Sequence, residues 1–172
     1  MSTEPHALPS APELASSAVE RKLLIGIGNP LRGDDGVGWA VARHLSGMHH
    51  RPAGVGFEVR TLHGDAADLV EAFRGVDSVV IVDAARSESP AGTLHRLDAT
   101  REGVPAVLEA ASTHGLGLAV AVELARALGC LPRRLLIYGI EGADFSPGAD
   151  LSPQARRTVF ELVQHLTDNG IE

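Results

Sequence analysis

Carboxylates and imidazoles stand in this chain directly after short apolar runs, where a strand gives way to a loop. Asn29, Asp34 and Asp35 follow the first run, His63 and Asp65 follow the second, and Asp83 closes the third. His114 lies in "STHGLGLAV", where a helix is expected to begin. Oxygen and imidazole donors in this mixture suit a borderline divalent metal such as nickel or zinc. A carboxylate near a scissile bond can also activate water. Each residue has a plainer use as well. Asp34 or Asp35 caps the helix that follows, which accounts for one aspartate and not for two in a row. Asp65 before "AADL" reads first as a cap, and Asp83 can simply accept from backbone amides. At a helix start the dipole disfavours the imidazolium, so His114 stays neutral and able to bind metal.

Other reactive groups carry less. His44, His49 and His50 fall near the end of a helix, where a solvated or structural role suffices. His6, His95 and His165 have no supporting context. Cys130 is a single thiol at the end of "ALGC" and is read as structural. The glycine-rich turn "GIGNPLRGDDGVG" invites a dinucleotide reading, but Gly26 and Gly28 are followed by glycine only at Gly33. Two aspartates there would repel a pyrophosphate. The sequence holds no GxSxG elbow and no HExxH.

Positioning these groups requires an alternating α/β chain. "KLLIGIGNP" predicts a buried strand and a sharp turn, followed by a helix over about 36–48 with Val37, Ala40, Val41, His44, Leu45 and Met48 on its inner stripe. "GFEVRTL" predicts a second strand, and Asp65 opens a short helix with Leu69, Val70 and Phe73 inward. "DSVVIVDA" is the strongest strand, its apolar core Val79–Val82 wholly β-branched as a doubly covered parallel strand should be. "SPAGTLHRLD" predicts a turn and an edge strand. Ser112 or Thr113 caps a helix to about Leu128 with Leu116, Ala119, Val120, Leu124 and Leu128 on one face, closed by Gly129 and Pro132. "RRLLIYGIE" is a further buried strand. Ser152 then caps a last helix with Pro153 at its first position, a stripe of Val159, Leu162, Val163 and Leu166, and Gly170 at its end. Together these predict a three-layer fold, a mostly parallel twisted sheet with helices on both faces. Ligands bind such a sheet beyond the carboxyl ends of its strands.

The 172 residues suit one domain over 21–172, with 1–20 ("MSTEPHALPSAPELASSAVE") as a flexible N-terminal extension. A net charge of −7 argues against nucleic acid as partner. No stretch approaches the roughly 18 apolar residues of a membrane span, and no secretory signal pattern opens the chain, so a cytoplasmic protein is expected. Oligomeric state is not legible.

Three stretches in order, "LLIGIGNPLRGDDGVG" (23–38), "SVVIVDA" (78–84) and "STHGLGLAVAVELARALG" (112–129), resemble the hydrogenase maturation endopeptidases, as does "YGIEGADFSPGADLSP" (138–153). The similarity spans about residues 22–169. It implies a protease, aspartic in type, that recognises nickel already inserted in a [NiFe]-hydrogenase large-subunit precursor and removes that precursor's C-terminal extension. By the same resemblance the metal contacts fall on Asp35 and His114. The third contact, an aspartate in the family, falls on His63 in "LHGDA", with Asp65 two residues on; either can serve. Asp35 or Asp83 is the carboxylate that activates water. The implied metal is nickel, delivered with the precursor. Two alternatives remain: a non-cleaving, metal-dependent maturation chaperone on the same fold, and a peptidyl-tRNA hydrolase, whose first strand "LLIGIGNP" also resembles.

Overall fold

Apolar runs broken by helical periods predict a parallel sheet, and the computed structural model contains one. It describes residues 20–47, 56–101, 103–104 and 116–171. Strands β1 (Lys22–Ile27), β2 (Glu58–Leu62), β3 (Ser78–Ala85), β4 (Leu94–Asp98) and β5 (Arg134–Glu141) form one sheet in the order β2-β1-β3-β5-β4. All pairs are parallel except β4, which runs antiparallel to β5 at the edge. Every residue of β3 is buried, and so are seven of the eight in β5, whereas β2 and β4 keep exposed positions at the two edges. That division follows from hydropathy: the continuous apolar runs of β3 and β5 need cover on both faces and the mixed runs do not.

Four α-helices supply the cover among the described residues. Helices α1 (Val37–Ser46) and α4 (Pro153–Asn169) pack on one face, where Val41 and Leu45 meet Val159, Leu162, Val163 and Leu166. Helices α2 (Ala66–Phe73) and α3 (Leu116–Ala127) pack on the other, where Leu69 and Phe73 meet Leu118, Val122 and Ala125. The chain leaves β1 in one direction for β2 and returns on the other side as β3. The carboxyl ends of β1 and β3 therefore bound the crevice where such sheets bind ligands. No described helix is long and apolar enough to cross a membrane.

Local signals hold where the cap is encoded in the sequence. The Ser152 side chain accepts from Ala155 N at 3.3 Å with Pro153 opening α4, the Asp65 side chain accepts from Ala67 N at 2.9 Å ahead of α2, and Gly170 ends α4 at φ 75°. Three expectations fail. Neither Asp34 nor Asp35 caps α1: both lie inside a 3-10 turn (Gly33–Gly36), and Gly36 precedes the helix with no side-chain cap. The inner face of α1 is Val37, Gly38, Val41, Ala42 and Leu45, with Ala42 replacing His44, which is exposed and sits 2.7 Å from the Ala40 carbonyl. Gly38 presses the helix so closely on the sheet that its rotation is set by backbone contact. On α3 the stripe is misassigned: Val120, Leu124 and Leu128 are 49, 42 and 57% exposed, while Leu118, Ala121, Val122 and Ala125 are buried. This helix is apolar nearly all round, so periodicity alone does not choose its face. Residues 1–19, Met48, His49, His50, Ser112, Thr113 and His114 lie outside the described residues.

Candidate active site at the carboxyl edge of the sheet

The turn after β1 is folded by backbone contacts that only glycine permits. Gly28 adopts φ +126°, and a Cβ there would stand 1.8 Å from the Asp35 carbonyl oxygen. Asn29 N–H donates to that same oxygen at 3.1 Å, and Asp35 N–H donates to the Arg32 carbonyl at 3.2 Å. At Gly38 an added Cβ would meet the carbonyl oxygens of both Ile27 and Val82 at 2.3 Å. The start of α1 thus rests on the ends of β1 and β3, which brings Asp35, just before the helix, to Asp83, the residue after Val82.

Both carboxylates are buried, Asp35 at 3% and Asp83 at 1% exposure. Oδ1 of Asp83 accepts from the neighbouring Ala84 N–H at 2.8 Å, and no hydrogen-bond partner reaches its Oδ2 among the described residues. Burial pushes the Asp83 carboxyl up to about 8; the Ala84 amide opposes this, and the nearby Asp35 charge adds to it. At neutral pH Asp83 is therefore mostly a neutral acid beside a second carboxylate.

Asp34, one residue earlier, has another task. Its Oδ2 accepts from Ala143 N at 2.7 Å and Asp144 N at 3.2 Å, and its Oδ1 from Ser152 N at 2.7 Å. It clamps the β5–α4 loop to the turn after β1. This resolves the double aspartate: one residue binds backbone and the other faces Asp83.

The loop after β2 carries the third position. His63 is exposed and lies against Trp39, their ring centroids 5.2 Å apart. Trp39 is itself anchored by Nε1 donating to the Leu62 carbonyl at 3.1 Å. Asp65 spends one oxygen on its α2 cap. A Cβ at Gly117 would meet the Gly64 carbonyl at 1.9 Å, so the start of α3, just beyond His114, abuts this same loop. His114 lies outside the described residues, and among those described no three His, Cys, Asp or Glu side chains form a metal cluster.

Sequence reasoning passed over one buried acid. Glu141 ends β5 at 1% exposure; it accepts from the Ser87 amide, from Ser87 Oγ at 3.0 Å, and lies 3.0 Å from His95 Nε2. The rule that singled out Asp83, a polar residue closing a buried strand, applies equally to "YGIE". His95 gained its context only through the antiparallel pairing that sets it opposite Gly139.

A family model described as hydrogenase maturation protease matches residues 41–169, well over half the chain. The hydrogenase expression/formation protein HupD of Thiocapsa roseopersicina is 30% identical over 147 residues, which make up 83% of this chain and 64% of that relative's length. The [NiFe] hydrogenase maturation protease HybD from Thermococcus kodakarensis superimposes with a TM-score of 0.65 at 25% identity, over 86% of this chain and 97% of its own. An endopeptidase from Escherichia coli shares the fold with a TM-score of 0.71 at 23% identity, over 88% and 95% of the two chains. This chain belongs to the hydrogenase maturation protease family, a family of peptidases.

Proposed function

We propose that this chain is the endopeptidase that removes the C-terminal extension from a nickel-loaded [NiFe]-hydrogenase large-subunit precursor, working in the cytoplasm and reading the precursor's nickel as the mark of readiness. The observation that carries this reading is the Asp83 carboxyl, buried beside Asp35 with an oxygen that no described group answers, in a chain of a maturation protease family. Burying a carboxyl this way is costly and is kept where a substrate completes the site.

Nickel here is cargo of the substrate. Asp35, His114 and a third donor, His63 or Asp65, offer the oxygen and imidazole chemistry that suits it. We favour His63, because it is exposed on the Trp39 ring whereas Asp65 is engaged in its cap. The ion supplies a positive charge that holds the precursor's scissile segment in place. The chain's own carboxyls then divide the proton work. Water adds to the scissile carbonyl carbon as Asp35 takes its proton, and the neutral Asp83 gives its proton to the departing amine.

The test is mass spectrometry of the nickel-loaded precursor incubated with the purified protein. Wild type is expected to release the C-terminal peptide, and Asp35→Ala and His114→Ala to lose at least about 100-fold in rate. Undiminished cleavage by both variants sinks the scheme. Nickel-dependent binding with no change in precursor mass would instead select the non-cleaving maturation chaperone.

A further inference from the structure

We infer that Arg32 and Arg86 form a carboxylate-recognition pair at the rim of the aspartate site, taking an anionic group on the segment that is cut away. The inference rests on the peptidase reading above and assigns the part of the substrate that reading leaves open. Arg86 is the first residue past β3, three beyond Asp83, and its guanidinium lies 5.3 Å from the centroid of the Phe145 ring. Arg32, just before the turn that carries Asp35, donates from Nη2 to the Phe145 carbonyl at 3.5 Å. Two guanidinium groups therefore meet at one residue of the β5–α4 loop. That loop is fixed, since Asp34 holds its backbone at Ala143, Asp144 and Ser152.

No carboxylate pairs with either arginine among the described residues, and the buried Nε of Arg32 has no hydrogen-bond partner among them. Arg60 and Arg74, on other parts of the surface, reach Glu58 and Glu71 at 2.7 and 2.9 Å, whereas Arg156 has only the Leu151 carbonyl. Nor do the two arginines act on Asp83, whose shift comes from burial, the Ala84 amide and Asp35. A guanidinium stacked on an aromatic face keeps its donor fork in plane, the geometry that grips a carboxylate with two parallel bonds. Leu31, 74% exposed in the adjoining turn, offers an apolar contact beside the charged pair. In a chain of net charge −7 a local cationic rim is what lets an acidic peptide approach buried carboxyls. The carboxylate can be the precursor's chain terminus or an acidic side chain of its extension.

Steady-state cleavage of nickel-loaded precursor decides the matter. Arg86→Ala should raise KM about tenfold and Arg86→Glu about 100-fold, with kcat within about twofold of wild type. Raising salt should weaken wild type and leave Arg86→Ala almost unmoved. Neutralising the acidic side chains of the extension identifies a side-chain partner if wild-type KM rises and Arg86→Ala then adds nothing. Lengthening the extension with glycine and serine identifies the terminal carboxylate by the same logic. Wild-type KM and salt dependence in Arg86→Glu would overturn the pair. If wild type itself leaves the precursor uncut, the peptidase reading falls separately. Anisotropy of a labelled precursor then judges the arginines, and equal binding by wild type and Arg86→Glu overturns them.

Discussion

Near the carboxyl edge of this sheet two neighbouring central strands each carry a buried acid, Glu141 as the last residue of β5 and Asp83 two residues before the end of β3, and the two acids are treated in opposite ways. Glu141 on β5 has the Ser87 amide, the Ser87 hydroxyl and the His95 ring around it. Asp83 on β3, whose strand pairs with β5 residue by residue, has one local amide and a nearby carboxylate of like charge. Asp34, like Glu141, is well served, accepting three backbone N–H groups. A satisfied buried carboxylate holds structure, whereas an unsatisfied one carries an uncompensated desolvation cost. At this edge the number of hydrogen bonds distinguishes these buried acids, whereas burial and residue type do not.

The comparison can be broken by substitution. Asp34→Ala should have the largest effect, because three backbone donors lose a shared acceptor. A loss of about 4 kcal/mol is expected, read as a fall in denaturation midpoint, and a near-neutral result would deny that Asp34 is the clamp. Asp83→Asn should act in the reverse sense. The folded pKa of about 8 lies above the ordinary 3.8, so between those values the unfolded chain releases a proton that the folded chain keeps. Stability from this group is therefore full below pH 3.8 and falls as pH rises to about 8. The amide should remove that decline and stabilise the protein by on the order of 2–4 kcal/mol at pH 8, while cleavage is lost. A melting curve that shifts equally at pH 4 and pH 8 would contradict this. Glu141→Gln should cost about 1 kcal/mol, since the amide oxygen still accepts from Ser87, and should leave cleavage within about twofold. Leu124→Gln, on the exposed face of α3, should shift stability by less than about 0.5 kcal/mol. A cost of 2 kcal/mol there would restore the inner stripe expected from periodicity.

Much of the fold was legible because its signals are local. The run "DSVVIVDA" has no alternative to a doubly covered strand, and the Ser152–Pro153 and Asp65 caps are chemical features of two or three residues. Helix α3 was legible as a helix and illegible as to its face, because Glu123 and Arg126 are the only charged residues in a segment otherwise Ala, Val, Leu and Gly. The contact of Gly117 with the Gly64 carbonyl, across 53 positions of sequence, belongs to the packing and not to any periodicity. His95 was unreadable for a similar reason: its partner stands 46 residues away on the neighbouring strand.

By itself the sequence determined the order of elements, the central strands and the rim on which polar groups gather, since hydropathy and capping act over a few residues. Only the tertiary structure decided which acid is which. The split between Asp34 and Asp35, the isolation of Asp83 and the company of Glu141 all depend on backbone groups brought from distant strands and loops. A carboxylate's character is set by the donors and charges within a few ångströms of it, and no local pattern of residues specifies those.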